Sequence, residues 1–338
     1  MLDLTVVICT YNGASRLPNV LERLLTQEKT ENLSWEIIVV DNNSTDQTAE
    51  IIRKYQARFS EIVPLKYCFE PRQGLAYARR RAIREVPGEL IGFLDDDNYP
   101  DPNWVAAACD FGKKHPQAGG YGGRILGKYD EQPPKNFERI ASLLAVSDRG
   151  TEAFRYDLLD RWLFPAGAGM VVRRRAWLEC VPDRPQLSGV SGQSLSNKGE
   201  DIETLSYLRK AGWQIWHNPD LIIEHHIPSS RFQKAYLLKL CHGVGLSRFA
   251  TRTVYRPRWQ HFLVILAYLM VDSCKLIAYY FKTHKSLNRD VIEQCQFELL
   301  RGSIVSPFYH YRKSFNRGKD SVSISQQLSK LRNNNELI

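Results

Sequence analysis

The chain has 338 residues, 43% hydrophobic and 25% charged, a balance that excludes a disordered polyelectrolyte and allows one large core or two smaller ones. Its net charge of +9 is uneven: residues 1–228 carry 28 Lys+Arg against 31 Asp+Glu, and residues 229–338 carry 18 against 6. The basic C-terminal third points to an anionic partner, and seven scattered cysteines with no CxxC argue against a zinc site or a disulfide framework and fit a reducing compartment.

Residues 4–9, LTVVIC, form an apolar, β-branched run that reads as a strand from the outset, which predicts no cleaved leader. It ends at Thr10-Tyr11-Asn12-Gly13. A helix is expected over Arg16–Gln27, with Leu17, Val20, Leu21, Leu24 and Leu25 on one stripe. Residues 36–40, EIIVV, predict a second strand, ending at Asp41-Asn42-Asn43-Ser44. Ser44 or Thr45 is expected to cap the next helix, Gln47–Phe59. Leu65–Phe69 reads as a third strand. Gly74–Val86 reads as a helix with a basic face of Arg79, Arg80, Arg81 and Arg84. Leu90–Leu94 is a buried strand that runs into Asp95-Asp96-Asp97. This alternation predicts a doubly wound, mostly parallel α/β sheet.

Beyond Trp104 the pattern mixes. Gly119–Leu126 predicts a strand with a glycine bend, and Lys128–Asp160, polar and irregular, a flap or an insertion. Ala166–Arg173 reads as a small-residue strand. Leu187–Lys198 is rich in Gly and Ser and reads as mobile. Glu200–Ala211 predicts a helix ended by Gly212, and Trp213–Trp216 and Leu221–Ile223 two short strands. Phe262–Val271 is an apolar core too short to span a bilayer, which needs about 20 residues. Asp272 and Lys275 then interrupt it. Two readings stay open: a buried helical hairpin, or a helix in a membrane interface flanked by Arg252, Arg256, Arg258, Lys282, Lys285 and Arg289. Residues after about Asp320 are polar and expected to be loosely ordered.

Three adjacent carboxylates at a strand end repel one another. A hard divalent cation with oxygen ligands relieves that, and such an ion typically brings a phosphate with it. Strand ends are also where open α/β sheets bind ligands. Asp41, at the end of the second strand, is placed to accept a base's imino N–H. No GxGxxG follows the first strand, which argues against a Rossmann dehydrogenase. The loop TYNGASRLP also lacks the glycine-rich, basic character expected of a nucleotidyltransferase.

The segments VVICTYNG, IIVVDNNSTD, GLAYARRRAI, GFLDDDNYP and GEDIE, in this order over residues 3–231, resemble glycosyltransferase family 2, the inverting enzymes with a GT-A fold. The resemblance implies an α/β GT-A (nucleotide-diphospho-sugar transferase) domain over 1–231. Its nucleotide-binding part is 1–104 and its acceptor-side part 105–231. A basic helical extension over 232–320 and a flexible tail over 321–338 would follow.

The same resemblance implies a nucleotide-sugar donor, most simply a UDP-sugar. Asp41 would read uracil, with Thr10, Tyr11, Asn12, Asn42, Ser44 and Gly74 lining the crevice. Asp97 would be the direct ligand of Mg²⁺ or Mn²⁺, and Asp95 or Asp96 would hold the ribose. Arg79, in a G-x-x-x-A-R segment, would brace the aspartates or touch the donor. Asp201, in the "ED" pair, would be the catalytic base, with Glu200 orienting the loop or binding acceptor. His225, at the histidine of an H-x-V-P-x-x-R-like segment, would complete the metal shell. His226 is secondary, and Arg231 would meet the diphosphate.

No Q-x-x-R-W segment is present, which favours single-sugar transfer over processive polymerisation. The expected acceptor is a glycan or lipid-linked hydroxyl. The expected setting is cytoplasmic, peripheral on the inner membrane face through the basic extension, with no nucleic acid partner. The competing non-enzymatic reading is a scaffold of a membrane-bound assembly, against which the intact Asp41, Asp97 and Asp201 argue.

Overall fold

The computed structural model describes residues 2–159, 163–184, 186–190, 195, 198–254, 256–287 and 289–312. The first half alternates strand and helix: β1 (Leu4–Thr10), α1 (Leu17–Leu25), β2 (Trp35–Asp41), α2 (Thr48–Phe59), β3 (Leu65–Phe69), α3 (Leu75–Glu85) and β4 (Leu90–Asp95). All seven residues of β1 and of β2 are buried, as expected of strands covered by helices on both faces. Strands β3, β2, β1 and β4 are parallel and adjacent in that order. Thr10 therefore pairs with Asp41, and Cys9 with Asp95, along one sheet edge.

The second half is mixed. It comprises β5 (Asn98–Pro100), α4 (Trp104–Lys114), β6 (Ala118–Tyr129), β7 (Phe154–Arg155), β8 (Val171–Arg173), α5 (Arg174–Cys180), α6 (Glu200–Lys210) and β9 (Gln214–Ile227). The full sheet has nine strands in the order β3-β2-β1-β4-β8-β6-β9-β5, with β7 on β9. Antiparallel pairing of β5 with β9 sets Asn98 opposite His225. That register carries the late histidine back to the aspartate strand end. One core lies on each sheet face: α1, α2 and α4 cover one, α3, α5 and α6 the other.

Three long helices close the chain: α7 (Lys234–Thr253), α8 (His261–Thr283) and α9 (291–312). Leu237, Leu240 and Cys241 of α7 and Ile292 and Cys295 of α9 share a third core with Phe137, Ile140 and Leu144. Residues 137–146 of the irregular stretch thus serve as packing surface for the C-terminal helices.

Several expectations need correction. Neither Ser44 nor Thr45 caps α2: the Asp46 carboxylate accepts the Thr48 amide at 3.0 Å, and Ser44 Oγ accepts the Asn12 amide at 2.9 Å. Arg80 is not a surface charge; it is buried and donates to the Pro182 carbonyl. The 166–173 strand shrinks to Val171–Arg173, because Gly167 and its neighbours are needed as a loop beside α6. The two short strands of 213–223 are one strand, β9. The buried hairpin is ruled out as well, since only Val264, Ile265, Asp272 and Thr283 of α8 are buried. Asp272 does not interrupt the apolar face. It turns inward onto Arg252 of α7, leaving Phe262, Leu263, Leu266, Met270, Ile277 and Phe281 exposed. Most of the Gly/Ser-rich 187–198 stretch, and everything after 312, lies outside the described residues.

Candidate active site

The β1 and β2 ends form a closed hydrogen-bonded corner. Asp41 Oδ1 accepts the Ser44 amide at 2.9 Å, and its Oδ2 accepts the Tyr67 hydroxyl at 3.0 Å. Burial, with the Asp41 carboxylate beside it, pushes the Tyr67 phenol up to about 12, so it stays a donor. Asn12 adopts a positive φ of 48°, a conformation asparagine tolerates, and its side chain accepts the Thr45 amide at 2.8 Å. Asn42 holds the loop before α3: it donates to the Glu70 and Arg72 carbonyls and accepts the Gly74 amide at 2.8 Å. Tyr11 is half-buried beside this corner.

The three aspartates after β4 have different surroundings. Asp96 is engaged within the protein. Thr10 Oγ1 donates to it at 2.6 Å, and Arg16 grips both of its oxygens at 2.8 Å. Of the two ribose candidates, Asp96 is therefore tied down. Asp95, a third exposed, opens into a cavity, and burial raises its pKa against the pull of Arg79 at 3.8 Å.

Asp97 accepts Asn98 Nδ2 at 3.1 Å and Arg231 Nη2 at 2.6 Å, and it faces His225 Nε2 at 3.4 Å. Burial works against its charge, but His225 and Arg231 outweigh that and hold it well below the usual carboxylate range. Arg231 Nη1 also lies 3.0 Å from His225 Nε2, so the guanidinium contacts both Asp97 and His225. His226 points elsewhere, onto Asp130 at 2.8 Å and against Tyr99.

Among the described residues, no three His, Cys, Asp or Glu side chains gather as a complete metal nest. Asp97 and His225 are the side chains that would hold a divalent cation, a carboxylate oxygen and an imidazole nitrogen 3.4 Å apart. The Arg231 guanidinium contacts both, so a cation there would have to displace it. Further ligands would have to come from donor oxygens or water.

α6, which begins at Glu200, lines the same cavity as Asp95. The Asp201 carboxylate accepts the Gly167 amide at 2.7 Å through Oδ2 and the Ile202 amide at 2.8 Å through Oδ1. Only glycine fits at 167, since a Cβ there would lie 2.8 Å from the Arg79 guanidinium and 2.9 Å from Asp201 Cβ. Arg79 is buried: it donates to Glu200 Oε1 at 3.3 Å and to the Gly167 carbonyl at 3.2 Å, and its guanidinium lies over Phe93. Arg79 is thus a brace between the Asp95 strand and the Glu200–Asp201 helix. Asp95, Arg79, Glu200 and Asp201 all line one cavity of about 750 Å³.

Burial pushes the Glu200 carboxyl up to about 7, with the Asp201 charge adding and Arg79 opposing. A raised carboxyl favours the fold while protonated. Its contribution is complete below about pH 4.5 and is lost progressively as pH rises through about 7. Glu200→Gln should therefore gain stability on wild type between pH 5 and 8, by on the order of 3 kcal/mol. Thermal melts across that range check this, and melting curves that move in parallel for the two proteins would contradict it.

Sequence reasoning missed Arg16, Tyr67 and Gly167, each of which holds a predicted carboxylate from a distant segment. A parallel half-sheet ending in carboxylates, with an acid on a separate helix lining the same cavity, is suited to moving a group from a nucleotide-linked donor. The chain belongs to glycosyl transferase family 2, whose model matches residues 5–181, just over half of the chain. The glucosyl-dolichyl phosphate glucuronosyltransferase of Haloferax volcanii is 22% identical over 258 residues, 75% of this chain and 79% of that protein. The Staphylococcus aureus poly(ribitol-phosphate) beta-N-acetylglucosaminyltransferase TarS is 30% identical over 117 residues, but the match spans only 20% of TarS. Among solved structures, the mannosyltransferase PcManGT of Pyrobaculum calidifontis, in complex with GDP-Man and Mn²⁺, superposes with a TM-score of 0.56 at 17% identity. That match covers 91% of this chain and 87% of PcManGT. The fold is GT-A, followed by C-terminal helices, and the protein is a glycosyltransferase that uses a nucleotide-sugar donor.

Proposed function

We propose that the enzyme transfers one sugar, with inversion and with help from Mg²⁺ or Mn²⁺, from a UDP-sugar to a hydroxyl of a glycan or lipid-linked acceptor. The observation that carries this reading is that Asp95 and Asp201, from segments over a hundred residues apart, line one cavity, with the Asp201 carboxylate held by the Gly167 amide. Inversion needs a single carboxylate to take the acceptor's proton as its oxygen attacks, and Asp201 comes from a different segment than the donor side. Asp97 and His225 would hold the cation, which when bound neutralises charge on the departing diphosphate. Arg231 would contact that diphosphate, and Asp95 would hold the ribose. Nucleotide release with UDP-, GDP- and ADP-sugars, each with and without acceptor glycans, tests the reading. No release from any UDP-sugar would overturn it.

Asp41 is the proposed reader of uracil, and its neighbours Ser44 and Tyr67 hold its carboxylate in place. Asp41→Ala should weaken UDP binding by about 1.5–3 kcal/mol, the range for a hydrogen bond to a charged group. Calorimetry showing equal affinity for UDP, GDP and ADP in the wild type would count against a uridine donor.

The C-terminal helices are the proposed membrane contact. α8 is long and apolar enough to cross a bilayer, and it presents an exposed face that includes Phe262, Leu263, Leu266, Met270, Ile277 and Phe281, with Trp259 exposed nearby. The excess positive charge past residue 229 complements an anionic leaflet, each surface cation adding about 1 kcal/mol. Co-sedimentation should need anionic lipid and fall at high salt. Release only by detergent would indicate insertion instead.

A further inference from the structure

The catalytic cavity has a second wall that catalysis by Asp201 does not use. It is built from the C-terminal half of α7 and from α8. Arg248, Arg252 and Arg256 all line the cavity that Asp201 lines. The Asp272 carboxylate of α8 is taken by Arg252 with both guanidinium arms. Arg252 also lies 4.1 Å from the Tyr268 ring, which is part of the same wall. Among the described residues, the Arg248 side chain makes no hydrogen bond or ion pair, although it is largely enclosed. Burial and the like charge of Arg252 lower its pKa, and the Asp272 charge opposes them. A guanidinium that lines a cavity with none of its hydrogen bonds made has an entering anion as its natural complement.

We infer that this wall is an anion subsite for the acceptor, in which Arg248, flanked by Arg252 and Arg256, grips a phosphate ester while the acceptor hydroxyl reaches Asp201. This rests on the transferase reading above and names the acceptor's chemical class. A guanidinium fork suits phosphate oxygens, where a single ammonium would give only a point charge. The far wall of the subsite is Tyr268 on α8, whose outer face is apolar and exposed. A phosphate ester with a long hydrocarbon chain would therefore place its head at Arg248 and its tail along α8. A soluble sugar or polyol phosphate shares the same head chemistry.

Binding measured with UDP and Mn²⁺ present, to fill the donor side, tests the inference. The probes are farnesyl phosphate, glycerol 3-phosphate and uncharged farnesol. Farnesyl phosphate should bind, inorganic phosphate should compete, and farnesol should bind far more weakly. Arg248→Gln should weaken farnesyl phosphate by about tenfold or more, and Arg248→Lys should keep part of the affinity. UDP affinity should be unchanged in both variants, which also reports that they fold. Glycerol 3-phosphate binding as tightly as farnesyl phosphate would assign the subsite to soluble esters; much weaker binding would assign it to lipid-linked ones. Equal affinity of Arg248→Gln and wild type, or of farnesol and farnesyl phosphate, would overturn the inference. An enzyme that binds phosphate through Arg248 but releases no nucleotide from any sugar donor would overturn the transferase reading and leave the subsite standing. Transfer that is indifferent to Arg248 would do the reverse.

Discussion

Asp201→Asn should leave donor affinity intact and lower sugar transfer by roughly 10²–10⁴, the usual worth of a general base. The substitution keeps size and one carbonyl oxygen. The Gly167 and Ile202 amides now donate to separate carboxylate oxygens, so asparagine keeps one of these two bonds and the shape of the side chain. What is lost is the proposed acceptor of the proton. Glu200→Gln should be milder, because Glu200 is buried against Arg79 and acts on Asp201 through charge and position. Separate measurement of nucleotide binding and of transfer decides this. Near wild-type transfer by Asp201→Asn, or loss of UDP binding in its place, would show that the base lies elsewhere.

Turnover should also collapse in Asp97→Asn and in excess chelator, and Mn²⁺ or Mg²⁺ should restore only the chelated wild type. Stabilising charge on a departing diphosphate is worth several kcal/mol, or about 10²–10⁴ in rate. The present arrangement gives this a specific form. Arg231 already contacts both Asp97 and His225, so a cation there would have to displace it. Asp97→Asn removes the hard anionic ligand and weakens the hold on Arg231 together. Full activity in excess chelator would exclude the cation and leave Arg231 as the positive charge beside Asp97.

The nucleotide half of the fold was legible because its strands are continuous apolar runs and its helices carry clear stripes. The ends of β1, β2 and β4 fell where the polar residues begin, so Thr10, Asp41 and Asp95 were placed on one edge correctly. The second half resisted because its strands are shaped by partners distant in sequence. Asn218-Pro219-Asp220 reads as a break, yet β9 runs through it as a bulge, with residues 218–221 opposite the single Gly123 of β6. Gly167 looked like part of a strand. Its role, bringing an amide to Asp201 beside the Arg79 guanidinium, is a contact across 34 residues with no local signature. Arg16 looked like a helix-start charge and proved to be the counter-ion of Asp96, 80 residues away. Asp272 looked like a flaw in an apolar helix, and only the packing of α7 beside α8 shows that it faces Arg252.

The most direct test of the account is a donor screen that reads nucleotide release from UDP-, GDP- and ADP-sugars, with Mn²⁺, with Mg²⁺ and with chelator, in wild type, Asp97→Asn and Asp201→Asn. The account predicts release from a UDP-sugar in the presence of either cation and its loss with chelator. It also predicts that both variants fall by orders of magnitude while Asp201→Asn still binds UDP. Release that is equal in all three proteins, or that is insensitive to chelator, would contradict it.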